Sequence, residues 1–346
     1  MTLPLPKNYA AMEARSVAEI PTADGWLYEP KWDGFRCLAF KDDGDIELMS
    51  KSGKPLTRYF PDVVATLMSI RAPRFVLDGE IVVALGGTLS FDALLQRIHP
   101  AASRVTKLAT EHPASLIVFD LLVSERGTPL VDRPLSERHE RLDAFATRFF
   151  PKGSGIMLSP ATTEISVVRE WLRTVGAGMD GVIAKRLDAP YATGERTAMH
   201  KIKLMRTADC VVGGFRYAEK GGVVGSLLLG LYDDDGLLNH VGFMSSFKTA
   251  ERPALTARLE RLIGGAGFTG RAPGGPSRWS TERSAEWKPL KPELVVEVQY
   301  DHFDGGRFRH GTKLMRWRPD KAPAQCGLQQ VMGGARVAHG IPVHGV

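Results

Sequence analysis

The sequence predicts an α+β protein built from two domains. Its 346 residues exceed the length that one ordinary hydrophobic core supports. Up to residue 207, short apolar strands alternate with amphipathic helices, and beyond it short strands separated by turns dominate. We therefore expect a first domain of antiparallel sheets and helices over residues 1–207 and a second, strand-rich domain over residues 208–346.

The elements of the first domain follow from apolar runs and turn signals. Strands are predicted over residues 26–31, 35–40, 45–50, 74–85, 115–122, 180–186 and 200–205. The run 74–85 is either one bent strand or a strand pair around Asp78-Gly79, and 115–122 is apolar enough to be buried on both faces. Helical spacing predicts helices over residues 61–70, 90–99, 134–149 and 165–176.

The second domain is dominated by short strands. They are predicted over residues 209–218, 226–234, 239–246 and 294–301, with one helix near 249–263 and a Gly/Pro/Ser-rich loop over 264–280. Several short strands with a single helix indicate a small β-barrel of the oligonucleotide-binding (OB) type.

Composition excludes several classes of protein. Apolar residues make up 43% of the chain and charged residues 24%, which excludes a largely disordered protein. No repeat or biased tract is present, which excludes collagen-like and low-complexity chains. Cys37, Cys210 and Cys326 are far apart and form no Cys-x-x-Cys pair, so neither a disulfide framework nor a cysteine zinc site is expected.

The sequence also predicts where the protein works. Its N-terminus has no apolar run of signal-peptide length, and no stretch is long enough to span a bilayer. We therefore expect a soluble, cytoplasmic protein with no membrane partner, and the composition favours a monomer.

A basic run near the C-terminus is a candidate surface for phosphate or nucleic acid. The net charge is +6, and between Gly305 and Lys321 six bases accompany a single acid, Asp320. A solvated charged face is the alternative. Interleaved aromatic side chains favour the nucleic-acid or nucleotide role: Phe303, Phe308 and Trp317.

Lys31 lies in the segment with the most distinctive chemistry, Glu-Pro-Lys-Trp-Asp-Gly-Phe-Arg over residues 29–36. A lysine amine is a nucleophile only when it is deprotonated, and burial and neighbouring cations favour that form. Alone, Lys-x-Asp-Gly is also typical of a hairpin turn. The motifs that follow change this balance: Asp78-Gly79-Glu80, Val118-Phe119-Asp120, Asp180-Gly181-Val182-Ile183-Ala184-Lys185, Lys201-Ile202-Lys203 and Arg316-Trp317-Arg318-Pro319-Asp320-Lys321.

This ordered set resembles the covalent nucleotidyltransferases, and most closely the ATP-dependent DNA ligases. The contexts Tyr-Glu-Pro-Lys-Trp-Asp-Gly-Phe-Arg and Arg-His-Gly-Thr-Lys-Leu-Met-Arg-Trp-Arg-Pro-Asp-Lys are similar to those of small bacterial ligases of the ligase C type. The resemblance extends from residue 29 to residue 321. It implies an ATP-grasp-like nucleotidyltransferase (adenylation) domain followed by an OB-type domain that carries the final basic motif.

The resemblance implies a three-step sealing reaction and assigns the nucleotide contacts. Lys31 would attack the α-phosphate of ATP and carry AMP to the 5′-phosphate of a nick, where the 3′-hydroxyl would displace it. Lys201 and Lys203 would clamp the α-phosphate, Phe119 would stack on adenine and Glu80 would accept from a ribose hydroxyl. The remaining nucleotide contacts implied are Glu29 near the adenine edge, Arg36, Asp180 and Lys185, and, for the pyrophosphate, Arg318, Asp320 and Lys321.

The resemblance also implies metal ligands, DNA contacts and partners. Asp180, Glu80 and Asp33 would bind a divalent metal, Mg²⁺ or Mn²⁺. Arg36 and Lys51 would bind the 5′-phosphate. The partners implied are nicked or broken double-stranded DNA and end-joining or repair proteins, with the protein associated with the nucleoid when it is on DNA.

Three positions depart from the family pattern. Asp180 stands where Glu is usual, Lys51 stands where Arg is usual, and Met199-His200 replaces an aromatic residue. Lysine cannot offer the bidentate fork of arginine to a phosphate. These departures affect metal preference and nick affinity but retain the nucleophile.

Other functions remain open from sequence. An RNA ligase or a capping guanylyltransferase would use the same lysine chemistry. The final motif with an OB-type domain argues against most RNA ligases, and the bacterial residues around Lys31 argue against a capping enzyme. A non-catalytic single-strand-binding module would use the barrel and basic run alone, and would have no need of the lysine and carboxylate motifs.

Overall fold

A computed structural model describes residues 3–173, 179–203, 205–219, 222–274 and 286–332. The chain divides into two compact units, the first ending at Leu204 and the second beginning at Met205. The predicted boundary at 207/208 falls within the strand Arg206–Tyr217, which opens the second unit.

The first unit combines strands and helices. Its strands are β1 (Arg15–Val17), β2 (Trp26–Trp32), β3 (Phe35–Asp42), β4 (Asp45–Ser50), β5 (Arg74–Leu85), β6 (Thr88–Leu89), β7 (Ala114–Val123), β8 (Ile156–Leu158), β9 (Met179–Arg186) and β10 (Met199–Ile202). Its helices are α1 (Pro61–Ser69), α2 (Phe91–Gln96), α3 (Ala102–Glu111), α4 (Leu135–Phe149) and α5 (Ile165–Arg173), with a 3₁₀ turn at Thr57–Tyr59.

Two sheets organise this unit. One has the order β4-β3-β5-β7-β8, with β6 paired to β5, and the other has the order β1-β10-β9-β2. The pairs β1–β10 and β7–β8 are parallel, and the others are antiparallel. Every residue of β7 is buried, as its apolar run predicts. The main core lies on the first sheet, where Leu67 of α1 and Phe145 of α4 join Leu77 of β5.

The second unit is mainly antiparallel sheet. Its strands are β11 (Arg206–Tyr217), β12 (Val224–Tyr232), β13 (Leu238–Met244), β14 (Lys288–Pro289), β15 (Val295–Tyr300), β16 (Phe303–Asp304), β17 (Arg307–Phe308) and β18 (Lys313–Trp317). Its helices are α6 (Arg252–Glu260) and α7 (Gln329–Met332), with 3₁₀ turns at Thr249–Glu251 and Pro323–Gln325.

The sheet of the second unit curls back on itself. Its strand order is β13-β12-β11-β15-β18, with β14 paired to β11. An isolated bridge between Met244 and Thr312 brings the two edges together, and the Thr312 amide donates to the Phe243 carbonyl oxygen at 3.1 Å. Closure of this kind removes exposed sheet edges. The predicted α+β class with an OB-type second domain is confirmed.

Most predicted elements are observed, and the differences have local causes. The predicted helices over 90–99 and 165–176 are shorter, and residues 174–176 of the latter lie outside the described residues. Helix α3 was not predicted, because only Val105 is buried and the apolar stripe is correspondingly thin. The loop expected over 264–280 has no helix or strand up to residue 274, and its remainder lies outside the described residues.

Two further sequence expectations can be compared with the structure. The three cysteines are buried free thiols, in agreement with the expected lack of disulfides. Within the described part of the chain, every helix is too short or too polar to cross a membrane.

Candidate active site

A cavity of about 210 Å³ in the first unit gathers most of the predicted site residues. Residues from both sheets line it, on β2, β3, β5, β7, β9 and β10. The predicted residues among its lining are Glu29, Lys31, Arg36, Lys51, Glu80, Phe119, Lys185 and Lys201. Side chains as far apart in the chain as Glu29 and Lys201, 172 positions, therefore meet here.

Two glycines from the Asp-Gly motifs let the site strands approach closely. At Gly34, a Cβ atom would lie 2.3 Å from the Ile81 carbonyl oxygen and 2.8 Å from Cγ of Glu80. Gly181 has φ +142°, and a Cβ atom there would lie 2.1 Å from the Ile202 carbonyl oxygen. Any larger residue would push these strands apart. The glycines thus set the spacing of the lysines and carboxylates beside them.

Lys31 is held in a network of two lysines and one carboxylate. Its Nζ donates to Oδ2 of Asp180 at 2.7 Å, and Nζ of Lys203 lies 3.2 Å from the same oxygen. Burial opposes ionisation of Asp180, but Lys31 and Lys203 outweigh it and lower the pKa of this carboxyl group. The carboxylate is therefore ionised at neutral pH and fixes both amines.

Lys201 lies in the cavity without a matching acid. No described carboxylate forms an ion pair with its ammonium group, although Lys31 and Lys203 are close enough to act on it electrostatically. Burial and these neighbouring cations lower the pKa of Lys201. An uncompensated cation in a concave site is suited to bind an anionic group such as a phosphate.

Glu29 and Lys185 form a buried ion pair beside Phe119. The Lys185 Nζ lies 3.0 Å from Oε1 and 2.8 Å from Oε2 of Glu29, and it donates to the Phe119 carbonyl oxygen at 3.2 Å. The same Nζ lies 4.6 Å from the Phe119 ring centroid. Burial raises the pKa of Glu29, although the charge of Lys185 opposes this shift.

Arg36 is held in place by Asp78, a motif residue for which no separate role was predicted. Its Nε and Nη2 donate to Oδ1 and Oδ2 of Asp78 at 2.5 and 2.6 Å. Asp78 is fully buried and also accepts from the Tyr191 hydroxyl at 2.5 Å. The guanidinium lies 4.6 Å from the Phe119 ring centroid, so this network orients a cation over the predicted adenine platform.

Glu80 has an unusual environment for a carboxyl group. Burial raises its pKa to about 7, despite the opposing charges of Arg36 and Lys31. The side chain is only partly exposed and lines the cavity. It can therefore gain or lose a proton near neutral pH.

The predicted metal ligands do not form a cluster. In the described ranges, no three His, Cys, Asp or Glu side chains group so as to hold a metal ion. Asp180 contacts two lysines instead. Mg²⁺ and Mn²⁺ often take one or two carboxylates and complete their shell with phosphate oxygens and waters. A metal carried by a nucleotide would need only one or two of the predicted carboxylates, Asp180, Glu80 and Asp33.

Lys51 lies at the rim and pairs with Glu13. Its Nζ is 3.3 Å from Oε1 of Glu13, and Arg196 Nη2 lies 2.5 Å from Oε2 of the same residue. Neither Glu13 nor Arg196 carried a sequence signal. Glu13 could not be predicted as a neighbour of Lys51. Its position depends on the pairing of β1 with β10 and on a backbone hydrogen bond to Glu195, in the loop before β10.

The residues that replace the family's aromatic position have separate environments. Met199 lines the cavity. The His200 ring packs on Trp26, with 4.8 Å between the ring centroids.

The final basic motif lies in the second unit and centres on Asp209. Arg318 Nη1 donates to Oδ1 of Asp209 at 2.8 Å, and Lys321 Nζ donates to Oδ2 at 2.6 Å. Asp320 accepts from Nη2 of Arg318 at 2.9 Å, and this guanidinium is the main reason that the pKa of Asp320 is lowered to about 2. Asp209 was missed because it stands at the start of the predicted apolar strand 209–218 and matches no motif.

The aromatic residues in the basic run are mostly packing residues. Phe308 is buried, and its ring lies 4.7 Å from that of Tyr300 and 5.3 Å from that of Phe303. Trp317 packs against the same core. Strands alternate their faces, and the face that carries these rings covers the core of the second unit. The nucleic-acid or nucleotide role expected for the basic run stays a prediction.

Family models of ATP-dependent DNA ligases match both units of the chain. Residues 10–203 match the family model of the ATP dependent DNA ligase domain, and residues 220–321 match that of the ATP dependent DNA ligase C terminal region. The chain is 44% identical to DNA ligase C2 of Mycolicibacterium smegmatis and 43% identical to DNA ligase C of Mycobacterium tuberculosis. Each comparison covers 96% of both chains.

Solved structures agree with the fold. A Lig E DNA ligase structure, described as a minimal scaffold for DNA binding, matches with a TM-score of 0.54 and 17% identity. The match covers 89% of this chain and 99% of that chain. The lysine-centred cavity, the two matched family models and the nearly full-length relatives together assign this chain to the family of ATP-dependent DNA ligases.

Proposed function

We propose that this chain seals nicks between a 5′-phosphate and a 3′-hydroxyl in double-stranded DNA through a Lys31–AMP intermediate. The observation that carries the proposal is the position of Lys31 in the cavity, held by Asp180 beside Lys201, which has no described ion-pair partner. A nucleophilic amine next to an uncompensated cation is what attack on a phosphoryl group requires.

In the first step, the neutral Lys31 amine attacks the α-phosphorus of ATP. A P–N bond forms, the bond to pyrophosphate breaks, and the amine loses a proton. Lys201 and Lys203 neutralise charge on the α-phosphoryl oxygens, while Arg318, Asp320 and Lys321 orient the pyrophosphate. Asp180, with Glu80 or Asp33, would hold a divalent metal, which would add further charge neutralisation at the phosphoryl group.

The cavity also supports recognition of the nucleoside. Phe119 offers an aromatic ring for adenine, with Arg36 and Lys185 fixed near it. Glu80 accepts from a ribose hydroxyl when it is ionised. Glu29, which is paired with Lys185, is assigned to the adenine edge. The choice of ATP is supported by the match to the ATP dependent DNA ligase domain.

The later steps use the same site. An oxygen of the nick's 5′-phosphate attacks the AMP phosphorus, and the P–N bond breaks as Lys31 regains a proton. The 3′-hydroxyl then attacks the activated 5′-phosphorus and releases AMP. Arg36 and Lys51 position the 5′-phosphate for both steps.

We further propose that the protein acts as a cytoplasmic monomer on nicked or broken nucleoid DNA, in repair or end joining with other repair proteins. The support is its similarity to bacterial ligases of the C type.

A nick-sealing assay tests the proposal. Wild-type protein is incubated with ATP, Mg²⁺ or Mn²⁺ and a singly nicked duplex, beside Lys31→Ala and Lys54→Ala. We expect sealing to be lost in Lys31→Ala and retained in Lys54→Ala, whose lysine is not part of the cavity lining. Sealing at full rate by Lys31→Ala would overturn the assignment.

A further inference from the structure

Glu13 forms a second carboxylate bridge, at the outer rim of the cavity. Its Oε2 accepts from Arg196 Nε at 2.7 Å, and its Oε1 lies 3.3 Å from Lys51 Nζ. The Glu13 side chain is 27% exposed, and both Glu13 and Lys51 line the cavity. The carboxylate therefore sits between two cations where a solvent-borne anion can reach them.

Backbone contacts hold Glu13 at this position. Its amide donates to the Glu195 carbonyl oxygen at 3.3 Å, and the preceding residue, Met12, forms a bridge with Thr193. Two residues later β1 begins, and its Ser16 is paired with Lys201. Glu13 is thus placed by strand pairing with the segment that carries the phosphate-binding lysines.

The two bridging carboxylates divide the cations of the site. Asp180 joins Lys31 and Lys203 in the interior, and Glu13 joins two cations at the rim. Lys201 is close enough to both pairs of cations for their charges to lower its pKa. The array of five cations and two acids comprises Lys31, Lys51, Arg196, Lys201 and Lys203 with Asp180 and Glu13.

We propose that Glu13 is an internal stand-in for the 5′-phosphate of the nick. It neutralises Lys51 and Arg196 in the free enzyme, and the terminal phosphate displaces it when DNA binds. This inference rests on the proposed function, because it takes the 5′-phosphate to be a ligand of Lys51.

The charge of the phosphate explains why the exchange can reverse. A terminal phosphate monoester carries about −1.5 to −2 charges at pH 7, more than a carboxylate does. Sealing converts it into a phosphodiester with a single negative charge. Glu13 therefore competes poorly with the substrate and better with the product, which favours release of the sealed DNA.

Binding measurements on the full-length protein test this exchange. The protein is freed of AMP with pyrophosphate and kept without metal, so that no sealing occurs. Dissociation constants are measured for duplexes with a 5′-phosphate nick and a 5′-hydroxyl nick. We expect Glu13→Gln to bind the 5′-phosphate nick about fivefold more tightly than the wild type. A partly exposed ion pair, which the phosphate must break in the wild type, has an energy of this size. Binding to the 5′-hydroxyl nick should be unchanged.

Two variants serve as controls. Glu13→Asp keeps the charge and should keep a ratio of the two constants near that of the wild type. Glu137→Gln removes an exposed partner of Arg141 on α4 and should change neither constant. Weaker binding of the phosphorylated nick by Glu13→Gln, or an equal gain for both nicks, would overturn the inference.

Failure of this inference can be separated from failure of the proposed function. A wild-type protein that forms no AMP adduct and seals no nick contradicts the proposed function. A wild-type protein that seals nicks, beside a Glu13→Gln protein with unchanged discrimination, contradicts only the role of Glu13.

Discussion

Asp180 Oδ2 lies 2.7 Å from Nζ of Lys31, so the proposed nucleophile is tied to a buried carboxylate before any nucleotide arrives. The same oxygen binds Lys203 at 3.2 Å. One acid thus positions two of the three lysines on which phosphoryl transfer would depend. Its replacement should disturb the nucleophile and the phosphate clamp together.

We therefore expect Asp180→Asn to slow transfer of AMP to Lys31 about 100-fold, because misplacement of a reacting group by about 1 Å has effects of this size. The rate is measured in a single turnover by the gain in protein mass. Asp180→Glu restores the charge and carries the family's usual residue, so it should retain most of the activity. Equal rates for Asp180→Asn and wild type would show that this contact does not position Lys31.

Glu80 should make stability depend on pH. Its carboxyl group has a pKa of about 7 in the folded protein, above the ordinary value of 4.5. The folded state therefore binds the proton more tightly, and its contribution to stability is full below pH 4.5 and is lost as the pH rises to about 7. Glu80→Gln should remove this loss and raise the free energy of unfolding at pH 8 by about 3 kcal/mol.

Urea unfolding at pH 5 and pH 8 measures the effect. The stability difference between Glu80→Gln and wild type should be larger at pH 8 than at pH 5. A difference that does not vary with pH would contradict the raised pKa. Glutamine does not ionise. The affinity of Glu80→Gln for ATP should therefore lose the pH dependence that the Glu80 carboxyl group gives the wild type.

The Tyr191 hydroxyl should stabilise the fold through Asp78. It donates at 2.5 Å to a carboxylate that is fully buried and that also holds Arg36. Tyr191→Phe leaves one acceptor of Asp78 without this partner and should lower the free energy of unfolding by about 1–3 kcal/mol. Tyr217→Phe is the matched control, because Tyr217 donates to the exposed Glu260 and should cost less than about 0.5 kcal/mol. Equal losses in both variants would contradict a special role for the buried network.

Asp209 should matter for adenylation but not for the final sealing step. It holds Arg318 and Lys321, which are proposed to orient pyrophosphate. Asp209→Asn should therefore slow formation of the AMP adduct, while sealing of a nick that already carries AMP on its 5′-phosphate should stay near the wild-type rate. Thermal melting verifies that the variant is folded. Equal slowing of both reactions would contradict a role confined to the pyrophosphate step.

The fold was largely predictable because its apolar pattern is strong. The all-buried strand β7 and the helix α4 follow from their apolar spacing alone. Helix α3 was missed because it buries only Val105. Strand β18 was treated as a charged run because three of its five residues are exposed and two of these, Lys313 and Arg316, are charged.

The candidate site was predictable only where a motif carried it. Lys31, Glu80 and Lys201 stand in recognisable motifs, and the structure gathers them around one cavity. Glu13 and Tyr191 carry no motif, because their roles come from contacts across 183 and 113 positions of the chain, to Arg196 and Asp78. Long-range pairings of this kind leave no local pattern in the sequence.

Intact-mass spectrometry after incubation with ATP or GTP and a divalent metal tests the central claim most directly. The protein is first treated with pyrophosphate to remove any bound AMP. We predict a mass gain equal to AMP with ATP alone, absent in Lys31→Ala and lost when nicked DNA is added. A gain with GTP, a gain that persists in Lys31→Ala, or no gain with either nucleotide would contradict the account.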